Sequence, residues 1–134
     1  NARQNGVGDR IHWHVANAFD FLRAAVEARE RFDVVILDPP AFAKNRRALE
    51  RAYRGYKEIN LRAFKLVEPG GLVVSCSCSQ AMTRDLFEQM LLDAANDAGR
   101  RVRIVERRGA GRDHPVLLGV SETDYLKCFI MHVQ

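Results

Sequence analysis

Apolar and polar positions along the chain change period from segment to segment. Ile11, Trp13 and Val15 alternate with His12, His14 and Ala16, the two-residue period of a half-buried strand near a sheet edge. Phe19 to Arg29 has helical spacing. Val34-Val35-Ile36-Leu37 is an unbroken apolar run that predicts a strand covered on both faces. It stops at Asp38-Pro39-Pro40, where two residues without amide hydrogens cannot extend a ladder.

Leu49, Ala52, Tyr56, Ile59, Ala63 and Leu66 share one stripe, which predicts a long helix from about Arg46 to Val67. Glu68-Pro69-Gly70-Gly71 ends it, and Leu72-Val73-Val74 begins a second apolar strand running into Ser75-Cys76-Ser77-Cys78-Ser79. Thr83 to Ala98 reads as a further helix, with Thr83 as its cap, Phe87, Met90, Leu91 and Ala94 inward, and Gly99 as its stop. Arg101 to Arg107 reads as a strand with Val102 and Ile104 inside, and a basic, Gly-rich loop leads to a last strand over Tyr125 to Val133. Strands alternating with helices predict an α/β fold with a mostly parallel sheet.

Composition bounds this picture without sharpening it. The chain has 134 residues, enough for one core. No apolar stretch is long enough to span a membrane, and no charged-then-apolar leader is present, so a cytoplasmic location is expected. Cys76, Cys78 and Cys128 are an odd number without the spacing of a disulfide framework, which favours a reducing compartment.

Charge changes the picture more, because the net +4 is unevenly spread. Lys44 to Lys65 holds eight basic residues against Glu50 and Glu58, and Arg100 to Arg112 holds six arginines against Glu106. Lys44, Arg47, Arg51 and Arg54 form a stripe of their own. Such segregation fits a polyanion such as RNA, whereas the structural alternative is a solvated helix face.

The ends of the two apolar strands carry the candidate chemistry. Asp38, held extended by the following proline, stands where open parallel sheets bind ligands; the alternative is an acidic turn or cap residue. At Asp38-Pro39-Pro40 the chain resembles class I methyltransferases that use S-adenosylmethionine, in which an acidic-Pro-Pro motif ends the fourth strand of a Rossmann-like sheet. Asp38-Pro39-Pro40-Ala41-Phe42-Ala43-Lys44, Arg54-Gly55-Tyr56-Lys57-Glu58-Ile59-Asn60 and Ser77-Cys78-Ser79 appear in order, followed by Asp113-His114-Pro115-Val116 and Tyr125-Leu126-Lys127. Together they resemble the large-subunit ribosomal RNA cytosine-5 methyltransferases, whose full-length members carry an N-terminal PUA domain. The resemblance covers essentially the whole chain.

That resemblance implies a division of roles. Carbon 5 of cytosine is a weak nucleophile, so a thiolate adds first to carbon 6. Cys78 is the implied nucleophile, seven residues after Gly71, while Cys76 reads as a small buried residue. Asp38 would hydrogen-bond the ring nitrogen or amine of the base. Related enzymes with two cysteines place the second where Ala41 stands, so the base that removes the carbon 5 proton is not assigned.

Asn17 aligns with the residue that contacts the adenine of the cofactor, with Ala18, Asp38 and Pro39 beside it; the structural alternative for Asn17 is a helix cap. His114 either lines the base pocket or fixes its loop, and Cys128 reads as core. His12-x-His14 and Cys76-x-Cys78 follow from strand alternation and the family pattern, so no metal is expected.

In the family's terms the chain is the C-terminal portion of one catalytic domain, lacking the first two strands and their Gly-rich cofactor loop. Alone it is expected to bind S-adenosylmethionine poorly. It should be completed by a missing N-terminal part of the same protein or by a second chain, a homodimer being one form of this. Two rival readings differ in class: a guanine-directed RNA methyltransferase that needs no cysteine, and an RNA-binding remnant without catalysis.

Overall fold

The computed structural model describes residues 1–43 and 46–134, with Arg46 described by its backbone alone. Three helices and four strands alternate along it: α1 (Ala18–Glu27), β1 (Phe32–Leu37), α2 (Leu49–Leu66), β2 (Val67–Ser77), α3 (Arg84–Ala98), β3 (Val102–Arg108) and β4 (Lys127–Val133). The sheet order is β1-β2-β4-β3. β1 pairs parallel with β2, and β4 runs antiparallel to both β2 and β3, so three of the four strands share one direction.

That topology decides where the helices go. The connections β1-α2-β2 and β2-α3-β3 are parallel crossovers that advance the same way along the sheet, and right-handed crossovers then lay both helices on one face. α1 packs on α2, and α2 on α3, so they form one layer. Val73, Ser75 and Ser77 of β2, with Phe129, Met131 and Val133 of β4, are buried with Tyr56, Phe64, Phe87 and Met90 of the helices. Among the described residues no helix covers the other face, in contrast to the expected layer on each side. Its apolar positions include Val34 and Ile36, which are 49% and 66% exposed.

Two expectations are corrected for the same reason. The apolar run in β1 does not lie between two layers, because β1 is an edge strand whose even-numbered side chains point to the uncovered face. Residues 11–15 alternate as expected but form no strand: a strand needs a partner ladder, and among the described residues they pair with none. Trp13 is 78% exposed.

Local signals fare better. The Thr83 hydroxyl accepts from the Leu86 amide at 3.2 Å, and Gly99 closes α3 in the left-handed region at φ 66°. α2 stops at Leu66 as expected, but β2 begins at Val67, so Glu68-Pro69-Gly70-Gly71 lies within an irregular strand start. Gly71 permits it, since a Cβ there would lie 2.6 Å from the Asp33 carbonyl oxygen.

α2 and α3 are tied by Tyr53, whose hydroxyl donates to Asp93 at 2.5 Å, and by an ion pair of Lys57 with Asp97 at 2.8 Å. Burial, then the Asp93 hydrogen bond and charge, push the Tyr53 hydroxyl up from 10.0 to about 12. The folded state holds this proton more tightly than the unfolded one, so the contribution is complete below pH 10.0 and lost as pH rises to about 12. Urea unfolding across that range should show the parent falling toward Tyr53→Phe. A gap that stays constant with pH would contradict this.

Candidate active site

The chain leaves β1 at Leu37, and the two prolines turn it away from the sheet. Phe42 then folds back onto α2 at Gly55, where a Cβ would sit 3.2 Å from the Phe42 ring. The ring lies 4.6 Å from that of Tyr56 and 5.8 Å from that of Phe19. Beneath it the Tyr56 hydroxyl is fully buried. It accepts from the Ser77 hydroxyl at 3.0 Å and from the Phe42 amide at 3.4 Å, and shares a 2.9 Å hydrogen bond with the Ser79 hydroxyl.

Ser79 is held from every side. Its hydroxyl accepts from the Ala43 amide at 3.2 Å, its amide donates to the Ser77 hydroxyl at 3.3 Å, and its carbonyl accepts from the Lys127 ammonium at 2.6 Å. Buried polar groups seldom go unpaired, and here their pairing fixes the backbone on both sides of Cys78. Ser77 and Ser79 point inward, so alternation turns half-buried Cys78 to the other side.

Asp38 is brought to the same sheet end. Leu37 pairs with Ser75, so Asp38 comes level with Cys76, two residues before Cys78. Asp38 is exposed, and its carboxylate accepts no hydrogen bond among the described residues. Cys76 lies opposite Cys128 on β4, and all three cysteines are free thiols. Burial pushes the Cys76 thiol up to about 12, helped by the Cys128 hydrogen bond and by negative charge on Cys128 and Asp38. Cys76 therefore stays protonated near neutral pH.

Asn17 occupies the N-cap of α1, its side-chain oxygen accepting from the Phe19 amide at 2.9 Å, so the cap role is met. That oxygen retains a second lone pair. Ala18 lies beside it on the wall of an open hollow of about 440 Å³ that also touches His14, Ala16, Phe21, Ile36 and Leu37. The hollow joins the start of α1 to the residue before Asp38. Ala18 lines it, whereas Asn17, Asp38 and Pro39 do not, Asn17 and Asp38 each standing next in the chain to a lining residue.

The basic candidates divide. Arg47 and Arg51 are exposed and make no ion pair among the described residues, Arg54 is exposed but pairs with Glu50 at 3.2 Å, and Lys44 lies outside the described residues. In the second basic run, Arg100 donates to the carbonyls of Phe64, Val67 and Gln134, while Arg107 pairs with Glu88 and Arg108 with Glu106. Half of that run is thus paired within the fold, and Arg101, Arg103 and Arg112 are exposed without such a pairing among the described residues. His114 is exposed and contacts Asp113 at 3.1 Å.

Comparison with known proteins gives this arrangement a context. A candidate S-adenosylmethionine-dependent methyltransferase from Streptococcus mutans superposes with a TM-score of 0.72 at 18% identity, over 88% of this chain and 30% of that one. Another candidate methyltransferase, solved in complex with SAH, gives 0.71 at 20% identity over the same shares. The chain has a Rossmann-like methyltransferase fold. It is 42% identical over 134 residues to the ribosomal RNA large subunit methyltransferase I of Shewanella denitrificans, covering 99% of this chain and 34% of that protein. The protein of the same name from Cronobacter sakazakii is 45% identical over 117 residues, covering 87% and 30%. The chain therefore spans about a third of the length of the curated relatives it matches. No protein-family model matches it.

Sequence reasoning placed Tyr56 on a core stripe and quoted Tyr56, Ser79 and Lys127 within motifs, but gave none of the three a role at the site. The available signals were a lysine opening an apolar strand and serines alternating with cysteines. Tyr56→Phe removes the shared acceptor and leaves Ser77 and the Phe42 amide short of a partner. It should cost about 1–3 kcal/mol of stability by urea unfolding. No measurable loss would show that the hydroxyl cluster does not hold the loop.

Proposed function

We propose that the chain is the catalytic portion of an S-adenosylmethionine-dependent methyltransferase acting on carbon 5 of a cytosine in large-subunit ribosomal RNA. The observation that carries the reading is the meeting of two strand ends, with an exposed carboxylate at Asp38 that has no hydrogen-bond partner among the described residues and a rigidly backed thiol at Cys78. The names of the relatives, which match over nearly the whole chain, support the ribosomal RNA substrate.

In this reading the Cys78 sulfur forms a bond to carbon 6, which makes carbon 5 electron-rich. Asp38 hydrogen-bonds the ring nitrogen or amine and supports the charge that develops on the ring. Once carbon 5 carries its new methyl group and has lost its proton, the sulfur–carbon 6 bond breaks and the thiolate returns. S-adenosylmethionine, when bound, supplies the methyl group from a sulfonium. The residues present fit that group: the hollow has apolar walls suited to a flat base, Asn17 beside the lining Ala16 and Ala18 keeps a free acceptor, and Asp38, next to the lining Leu37 and followed by Pro39, offers a carboxylate to a cation.

Arg51 and Arg54 on α2, with Lys44 and Arg47 before it, would contact the RNA backbone. The bare sheet face and the free edge of β1 would be covered by further polypeptide, either more of the same protein or a second chain. A cytoplasmic location belongs to the same reading and agrees with three free cysteines. Among the described residues no helix is long and apolar enough to cross a membrane.

The test is methyl transfer to ribosomal RNA by the intact protein, read as 5-methylcytosine in digested nucleosides. Cys78→Ala should abolish product, and Asp38→Asn should slow its formation by about 10²–10⁴-fold. Unchanged methylation with Cys78→Ala would point instead to a guanine-directed enzyme. Salt-sensitive RNA binding without any transfer would point to a non-catalytic RNA-binding module. By calorimetry the 134-residue chain alone should show no saturable binding of S-adenosylmethionine at concentrations that saturate the intact protein; equal affinity would contradict the need for covering polypeptide.

A further inference from the structure

One buried charge is unused by this chemistry. Lys127 opens β4, pairs across the ladder with Ser77 and is 3% exposed. Its ammonium donates to the Ser79 carbonyl at 2.6 Å and to the Tyr125 carbonyl at 2.7 Å. These neutral acceptors fix its position without balancing its charge, and a buried charge is costly until it is balanced. Among the described residues no carboxylate lies within 4.0 Å of it.

The charged and titratable groups around the ammonium come from each neighbouring element. Arg84, at the start of α3, and Asp124, before β4, pair with each other at 3.7 Å. Cys78 follows β2, its side chain turned by the same alternation to the face opposite Lys127, where Cys76, Cys128 and Asp38 also lie. Burial pushes the Lys127 ammonium down from its ordinary value, and negative charge on Cys78 is the largest influence opposing that.

We propose that Lys127 is a positioning residue whose buried ammonium, anchored on the carbonyl next to Cys78, stabilises the Cys78 thiolate by charge. The proposal rests on the reading of Cys78 as the nucleophile, but its test does not. In intact protein carrying Cys76→Ala and Cys128→Ala, iodoacetamide would be used to alkylate Cys78 across a pH series. Near neutral pH, Lys127→Met and Lys127→Gln should react at least ~10-fold more slowly than the parent, and Lys127→Arg within ~3-fold of it. The gap should close above about pH 9, where a free thiol ionises without help.

Equal rates near neutral pH, or an equal drop at every pH, would overturn the proposal, the second outcome marking a change of access alone. Should both neutral variants lose their circular dichroism signal, the parent decides. Its ratio of neutral to alkaline alkylation rates must exceed, by at least ~3-fold, that of a peptide carrying residues 75–81. A ratio equal to or below the peptide's would overturn it. Failure here with intact transfer through Cys78 removes Lys127 only, whereas transfer by Cys78→Ala removes the nucleophile and leaves the alkylation result standing.

Discussion

The arrangement of this protein depends on the hydroxyl of Tyr56. It joins three segments that the chain keeps apart: the loop after β1 through Phe42, the middle of α2, and the end of β2 through Ser77 and Ser79. A hydroxyl sealed from water is worth little beyond its hydrogen bonds but is expensive to leave unpaired, so the cluster specifies one geometry more than it adds stability. The rings of Phe42, Tyr56, Phe87 and Phe129 run in sequence from loop to α2, α3 and β4, and carry that geometry across the helical layer. Asp38 and Cys78 inherit their positions from this frame.

The same frame separates two cysteines two residues apart. Cys76 is held against Cys128 on the sheet and near Asp38, where both burial and negative charge keep its proton on. Cys78 follows the end of the strand, between two inward serines, with a buried ammonium anchored on the next carbonyl. Two residues of chain thus separate a thiol held protonated from the one proposed as the nucleophile. The uncovered face and free edge of β1 adjoin this end of the sheet, which is why the proposed chemistry calls for more polypeptide than these residues supply.

Much of the fold was legible because its signals are local. The stripe through Ala52, Tyr56, Ile59 and Ala63, the Thr83 cap and the Gly99 stop all depend on residues within a few positions of one another. What misled depends on distant partners. Residues 11–15 have the period of a strand but nothing to pair with, and the apolar run in β1 gives no sign of which of its faces is left bare. Charge was legible as a sum and not as a distribution: Arg100 resembles its neighbours in sequence yet is spent on carbonyls of Phe64 and Val67. At the candidate site the motif order brought Asp38 and Cys78 forward, while Tyr56, Ser79 and Lys127 stood in the same motifs without a role. Their roles arise from hydrogen bonds spanning 21 to 48 residues.

The most direct test of the central claim is covalent capture. Ribosomal RNA carrying 5-fluorocytosine cannot lose the substituent at carbon 5, so an enzyme that attacks carbon 6 remains attached to it. With the intact protein and S-adenosylmethionine, the account expects a stable protein–RNA adduct whose digested peptide carries the nucleotide on Cys78. A protein that methylates unmodified RNA yet forms no adduct, or one attached through Cys76, would contradict it.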